Sequence, residues 1–356
     1  MPDSILRALA LGVGIFLVIS TLFGAVRSFV LPRNESVLLS NLVFRSIRVL
    51  FWAVARLGRT YAQRDRVMAL YAPIGLIMLP IVWLALLSVS YTLIFWALGE
   101  GHLERCFRIS NSSLLTLGSE EPSHNMWANI ISYSEATLGL LLLTLLISYL
   151  PTMYQAFSRR ELTVARLELR AGGKASAPEL IRWLDRTNAL RDEQQQWQDW
   201  EQWFIEIEET HTSLPILSFF RSPQPGRSWV TTAGLILDTA ALVTSSLNQP
   251  LNPHLEVCFK AGCVALNRVG RFFHFDEDAD HSPDDPTTRA SFDQAYEQLR
   301  EAGFELHAEQ EAWTKYAELR ARYARAVAHL ARLTTDPSGD LDNKWLVTKG
   351  AEDPAR

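Results

Sequence analysis

Residues 8–26, 71–99 and 136–158 contain no Asp, Glu, Lys or Arg and are dominated by Leu, Ile, Val, Phe and Ala. A helix rises about 1.5 Å per residue, so about 20 apolar residues cross the hydrocarbon of a bilayer, and each run is long enough. Whole-chain averages conceal this: 356 residues with a net charge of -5 and a mean hydropathy of +0.03 would describe an ordinary soluble protein. The chain divides into a membrane part, residues 1–158, and a polar remainder, residues 159–356, long enough for a core of its own. No strongly basic balance points to a nucleic-acid partner. The three cysteines, Cys106, Cys258 and Cys263, lack the paired spacing of a zinc ribbon or redox motif.

Charge by segment sets the expected orientation, because Lys and Arg near membrane ends are retained in the cytoplasm. Between the first two apolar runs lie Arg27, Arg33, Arg45, Arg48, Arg56, Arg59, Arg64 and Arg66 against Glu35 and Asp65. Between the second and third lie Glu100, Glu104, Glu120, Glu121 and Glu135 against Arg105 and Arg108, and after the third come Arg159, Arg160, Arg166 and Arg170. The first loop is expected inside, the second outside, the C-terminal part inside and the N-terminus outside, in the inner (plasma) membrane. A cleaved signal peptide over residues 8–26 is the rival, but its leading part is barely basic and no small-x-small site follows.

Residues 44–59 of the inner loop read as an amphipathic helix, with Arg45, Arg48, Arg56 and Arg59 within about 80° of one another at 100° per residue. The favoured role is an interfacial helix whose arginines meet anionic lipid headgroups. A voltage sensor needs a charge at every third residue of a spanning helix, and the spacings here are three, eight and three.

The outer loop is the most informative stretch. Residues 102–115 predict a short helix, followed by Thr116-Leu117-Gly118-Ser119-Glu120-Glu121-Pro122 and a return into a helix led by Glu135. This order resembles the pore hairpin of the potassium-channel superfamily, over about residues 72–161: outer helix, re-entrant pore helix, a Thr-x-Gly filter with an acid and a proline behind it, and inner helix. Thr116, Gly118, Glu121 and Pro122 match that pattern. Ser119 and Glu120 depart from it, standing where the family has an aromatic and a second glycine, so the resemblance implies a cation pore without strong potassium preference. It also implies four chains around one pore, with Glu120 and Glu121 as stacked carboxylate rings at the outer mouth. The alternative reading of Ser-Glu-Glu-Pro is a solvated turn.

In the same resemblance Gly139 falls where the inner helix carries a hinge, and Tyr149, Leu150 and Tyr154 near Pro151 are candidates for an apolar gate. Pro151 is expected to kink the helix. Gly139 as a packing residue and Pro151 as a tolerated kink remain the plainer alternatives. Glu135 either sits behind the filter and hydrogen-bonds to it, as the resemblance implies, or marks a helix N-terminus.

From residue 158 onward the pattern is helical. The inner helix runs on to Arg170 and ends at Ala171-Gly172-Gly173, and Ser176 and Ser228 are N-cap candidates. Residues 193–209 place Trp197, Trp200, Trp203, Phe204 and Ile207 on one broad face, read as core in preference to a partner-docking surface. Residues 229–247 read as a buried core helix containing Asp238 rather than a fourth span. Helices are further expected over 252–274, 290–303 and 306–333. Residues 276–285, with six acids and His274 and His281 nearby, read as an acidic linker, since the EF-hand spacing is missing. No dinucleotide or phosphate-binding glycine loop and no catalytic or metal-ligand constellation is visible.

The sequence thus predicts an all-α polytopic membrane protein in three parts: residues 1–70, a channel-like pore module over 71–158, and a helical cytoplasmic domain over 159–356. Its expected role is a homotetrameric channel for Na, K or Ca ions, without enzymatic activity, cofactor, bound metal or nucleic acid. The alternatives are a potassium channel with an unusual filter, and a non-conducting receptor or scaffold that docks a cytoplasmic protein partner.

Overall fold

A computed structural model describes residues 2–29, 38–57, 61–123, 125–171, 176–187, 190, 194–223, 227–250, 252–273 and 286–334. Among these residues the regular elements are helical, with an isolated antiparallel bridge between Leu247 and Leu306 and no strand. The chain forms two compact units, Met1–Gln155 and Ala156–Arg356. Three helices are long and apolar enough to cross a membrane, with candidate spans Asp3–Arg27, Arg66–Leu98 and Met126–Arg170.

In the first unit, α1 (Pro2–Phe29) packs along α4 (Tyr71–Leu98), and α5 (Leu103–Leu114) packs on α4 as well. Their shared core holds Trp83, Leu87, Phe95, Cys106 and Ile109, all fully buried. Leu9, Phe16, Ile19 and Phe23 lie exposed on α1. A continuous apolar surface of that kind is costly in water and costs nothing in hydrocarbon.

The helix expected over 44–59 is α2, Leu38–Ala55, shifted toward the N-terminus. A short α3 (Tyr61–Ala69) follows it. Phe44 anchors α2 on α4, its carbonyl accepting from the Tyr71 hydroxyl at 3.3 Å. Arg48 is exposed, and Arg56, in the turn after α2, stacks over the Trp52 ring. The Arg45 side chain and all of Arg59 lie outside the described residues.

The second unit is built around α9 (Trp229–Ser246), which is buried almost all round by α7 (Ala177–Arg186), α10 (Pro253–Phe272), α12 (Glu309–Ala321) and α13 (Ala324–Thr334). Ser176 caps α7 through the Glu179 amide and Ser228 caps α9 through the Val230 amide, satisfying amides that a helix leaves open. On α8 (Gln194–Ser213), Trp197, Trp200, Trp203, Phe204 and Ile207 are all buried in this core. The aromatic face is therefore spent inside the unit and is not open to a docking partner.

Asp238 explains why an apolar helix carries an acid. It is fully buried, and its Oδ1 accepts from Arg320 Nη1 at 2.7 Å, from the Tyr316 hydroxyl at 3.3 Å and from the Tyr323 hydroxyl. One helix over 306–333 was the expectation, and the chain instead breaks at Arg322 and Tyr323 between α12 and α13. A straight helix would cross α9 once. The turn lets both pieces face α9 and brings Tyr323 to the carboxylate. α11 (Pro286–Glu301) completes the unit, and the acidic stretch 276–285 with His274 and His281 lies outside the described residues.

α6 (Met126–Ala171) extends into this unit, where Arg160 is buried. All five guanidinium N–H groups have an acceptor. Nε and Nη2 donate to Glu161 Oε1 at 3.0 and 2.9 Å, Nη2 to the Phe220 carbonyl at 2.7 Å, and Nη1 to the Leu217 carbonyl at 2.8 Å and His211 Nε2 at 3.3 Å. The His211 ring nitrogen Nδ1 lies 3.0 Å from the Ile207 carbonyl, which can only accept, so Nδ1 carries the hydrogen and Nε2 is the bare acceptor for Arg160.

Burial, with the Arg160 cation beside it, holds the His211 imidazole well below its ordinary pKa. In the unfolded chain the ring takes a proton below about pH 6.5. The folded ring does not, so its contribution is intact above pH 6.5 and is lost as pH falls. Stability of this unit should fall by about 1.4 kcal/mol per pH unit below 6.5 on this account. Thermal unfolding of wild type and His211→Gln between pH 5 and 7.5 checks it, and an identical pH slope in both proteins refutes the assignment.

Candidate functional site

The hairpin between α4 and α6 is built around α5 and the loop that follows it. At the end of α4 the Glu100 carboxylate, itself buried, accepts from the Ser123 amide and hydroxyl, both at 2.7 Å. This clasp ties the far end of the loop to the start of the hairpin. α5 then presents a polar face toward its neighbours. Asn111 Nδ2 donates to Ser88 Oγ at 2.9 Å, Ser113 Oγ lies 2.6 Å from Ser132 Oγ, and Ser110 Oγ donates to Glu135 Oε1 at 2.5 Å.

Glu135 is fully buried, and its Oε2 has no hydrogen-bond partner among the described residues. It supports α5 through Ser110, and among the described residues no hydrogen bond joins it to residues 116–118. A buried carboxyl within a spanning segment is costly and in general marks a functional or assembly site.

Gly139 lies against the C-terminal end of α5. A Cβ there would meet the Leu114 carbonyl oxygen far inside van der Waals contact and the carbonyl carbon at 3.2 Å. The glycine permits this close approach. Its place in the structure is a helix-packing contact. α6 is continuous through Pro151, where Leu150 and Tyr154 are exposed and Tyr149 is half-buried.

The loop's backbone is fixed by Ser112. Its carbonyl accepts from the Leu117 amide at 2.8 Å and lies 3.5 Å from the Gly118 amide, and its hydroxyl accepts from the Glu120 amide at 2.9 Å. A trans peptide points its N–H and the preceding C=O in opposite directions. The carbonyls of Thr116, Leu117 and Ser119 therefore point away from Ser112. Thr116 and Gly118 both have positive φ, 56° and 65°. For a β-branched threonine that conformation is strained, and such strain collects at sites that need a particular backbone.

Thr116, Leu117, Gly118, Ser119 and Glu121 are exposed. Glu120 is not free: its Oε1 pairs with Arg108 Nε at 3.1 Å, and Arg108 Nη1 also reaches Glu104 Oε1 at 2.9 Å. The two neighbouring acids thus differ, with Glu120 folded back on α5 and Glu121 turned outward. On α6, Thr137, Leu141, Thr144 and Ser148 share an exposed face about 60° wide. The three hydroxyls donate to carbonyls of the preceding turn, so the face carries no unmet donor.

Sequence reasoning found the loop and Glu135 but missed Ser112, Ser110, Glu100 and Arg108. The run Ser110-Asn111-Ser112-Ser113 was the available signal, since four consecutive polar residues in a helix beside two apolar spans need partners. Among the described residues no group of three His, Cys, Asp or Glu side chains could hold a metal ion. Cys106, Cys258 and Cys263 are buried thiols. No family model matches the chain, and no curated protein or solved structure matches it.

Proposed function

We propose that this protein is a pore-loop cation channel of the potassium-channel-like type, a homotetramer in the inner (plasma) membrane without strong potassium preference. The observation that carries the reading is the Ser112-anchored loop. Its amides turn onto α5 and its carbonyls turn the other way, between two helices long enough to span a bilayer. Carbonyls presented in this way, repeated by symmetry about an axis, can replace part of an ion's hydration shell.

Four copies of Glu121 would ring the outer mouth and concentrate cations there. Glu120 contributes less in this reading because Arg108 neutralises it. α6 would line the axis with Thr137, Thr144 and Ser148, and close by dewetting near Leu150, Pro151 and Tyr154, with Tyr149 beside them. The N-terminus is outside and the arginine-rich loop inside, where Arg48 and Arg56 meet anionic lipid. No catalytic role belongs to this reading.

Planar-bilayer recording with sodium, potassium and calcium gradients tests it. Glu121→Gln should reduce cation conductance by roughly tenfold at low salt, the difference closing near 1 M as charge is screened. Glu120→Gln should do much less. Absence of current in every ion would leave the non-conducting receptor reading. Retained preference for potassium over sodium would instead favour a potassium channel with an unusual filter. If Glu121→Gln changes nothing at low salt, the carboxylate mouth is wrong.

A further inference from the structure

The α6 segment that belongs to the second unit has two opposite faces. Phe157, Arg160, Val164 and Leu167 lie on the face turned into the unit: the last three are buried, and Phe157 stacks on Phe220 with ring centroids 5.5 Å apart. Arg159, Leu162, Arg166 and Leu169 lie opposite, about 160° away at 100° per residue. All four are exposed, Leu162 by 54% and Leu169 by 86%. Arg159 and Arg166 make no ion pair among the described residues. The fold of the unit does not use this face, yet it carries two leucines seven residues apart.

The steps of three, four and three place the arginines seven residues apart and the leucines seven residues apart, the heptad repeat that keeps one helix stripe facing another helix along its length. We propose that Arg159, Leu162, Arg166 and Leu169 form a seam against the same face of a second copy of this chain. The proposal rests on the multi-copy reading above and locates its contact outside the apolar spans. The occupant follows from the chain itself. Copies inserted in one direction bring their α6 helices down in parallel, so each residue meets its own counterpart. Leucine then faces leucine at 162 and 169, and arginine faces arginine at 159 and 166.

Like charges in alternate layers weaken such a seam, so association is held marginal rather than permanent. This gives the proposal a two-sided signature. Removing the leucines should loosen the seam, and removing the arginines should tighten it.

Two measurements on the full-length protein in detergent test this. Leu162→Cys and Leu169→Cys should form disulfide-linked pairs under mild oxidation roughly tenfold or more faster than Asp185→Cys, an exposed position on α7. The native cysteines are buried and should give no background. Leu162→Gln with Leu169→Gln should shift the mass measured by light scattering toward smaller species at dilution. Arg159→Leu with Arg166→Leu should hold the assembly together at lower concentration. All four positions are exposed, and tryptophan emission of the core around Trp197, Trp200 and Trp203 confirms that each variant is folded.

A multimer that cross-links no faster at 162 and 169 than at 185 overturns the seam and leaves the channel reading standing. A protein that stays monomeric at all concentrations overturns both. Arginine removal that weakens association also overturns it.

Discussion

Arg160→Met is expected to lower the stability of the Ala156–Arg356 unit by about 3–5 kcal/mol, the usual cost of removing one partner from a buried, hydrogen-bonded charge cluster. The substitution leaves the Leu217 and Phe220 carbonyls, the Glu161 carboxylate and His211 Nε2 without their common donor. Methionine fills part of the volume but donates nothing. For a unit of this size the loss corresponds to a melting temperature lower by about 10 °C. Arg160→Lys should recover little, because a single ammonium has three donors and cannot reproduce the planar spread of five. Thermal unfolding followed by tryptophan emission reads this directly, since Trp203 Nε1 donates to the Arg160 carbonyl at 3.2 Å. A change under 1 kcal/mol would mean that water replaces the guanidinium and that the cluster does not hold α6 to its unit.

The second large effect is expected at Gly139. Gly139→Ala forces a methyl group into the Leu114 carbonyl, and both neighbours are helix backbone that cannot rotate aside. Either α5 or α6 must move. Overpacking of this kind costs about 1–3 kcal/mol, with more for Gly139→Val. The displacement would act at the C-terminus of α5, where Ser112 holds Leu117, Gly118 and Glu120. On the channel reading proposed above, the alanine variant should therefore lose most of its current in bilayers. Gly12→Ala in α1 is the matched control: nothing lies within 4 Å of its Cβ position, and alanine favours the helix. If Gly139→Ala is as well tolerated as Gly12→Ala, the contact between Gly139 and Leu114 is not formed.

Much of the architecture was legible residue by residue. The charge-free runs predicted the apolar helices, Ser176 and Ser228 predicted their caps, and the tryptophan spacing predicted the core face of α8. Each of these signals is local. Periodicity needs about two turns, and a cap needs three residues.

What failed to show was the identity of polar partners. Arg160 reads in sequence as one of several arginines flanking a span, identical in kind to Arg159, yet one is buried against four acceptors and the other is exposed. Glu120 and Glu121 are equally indistinguishable until Arg108 claims one of them. The break at Arg322 and Tyr323 has no glycine or proline to announce it, and the partner that Tyr323 reaches there, Asp238, is far away in the chain.

The sequence by itself determined where the apolar helices run, where most of the others begin and which of their faces are apolar. Only the tertiary structure decided which charges are inside, because a buried charge is paid for by acceptors from distant segments. It also decided which way the loop carbonyls point, because Ser112 fixes the peptide planes after the chain has folded back on α5.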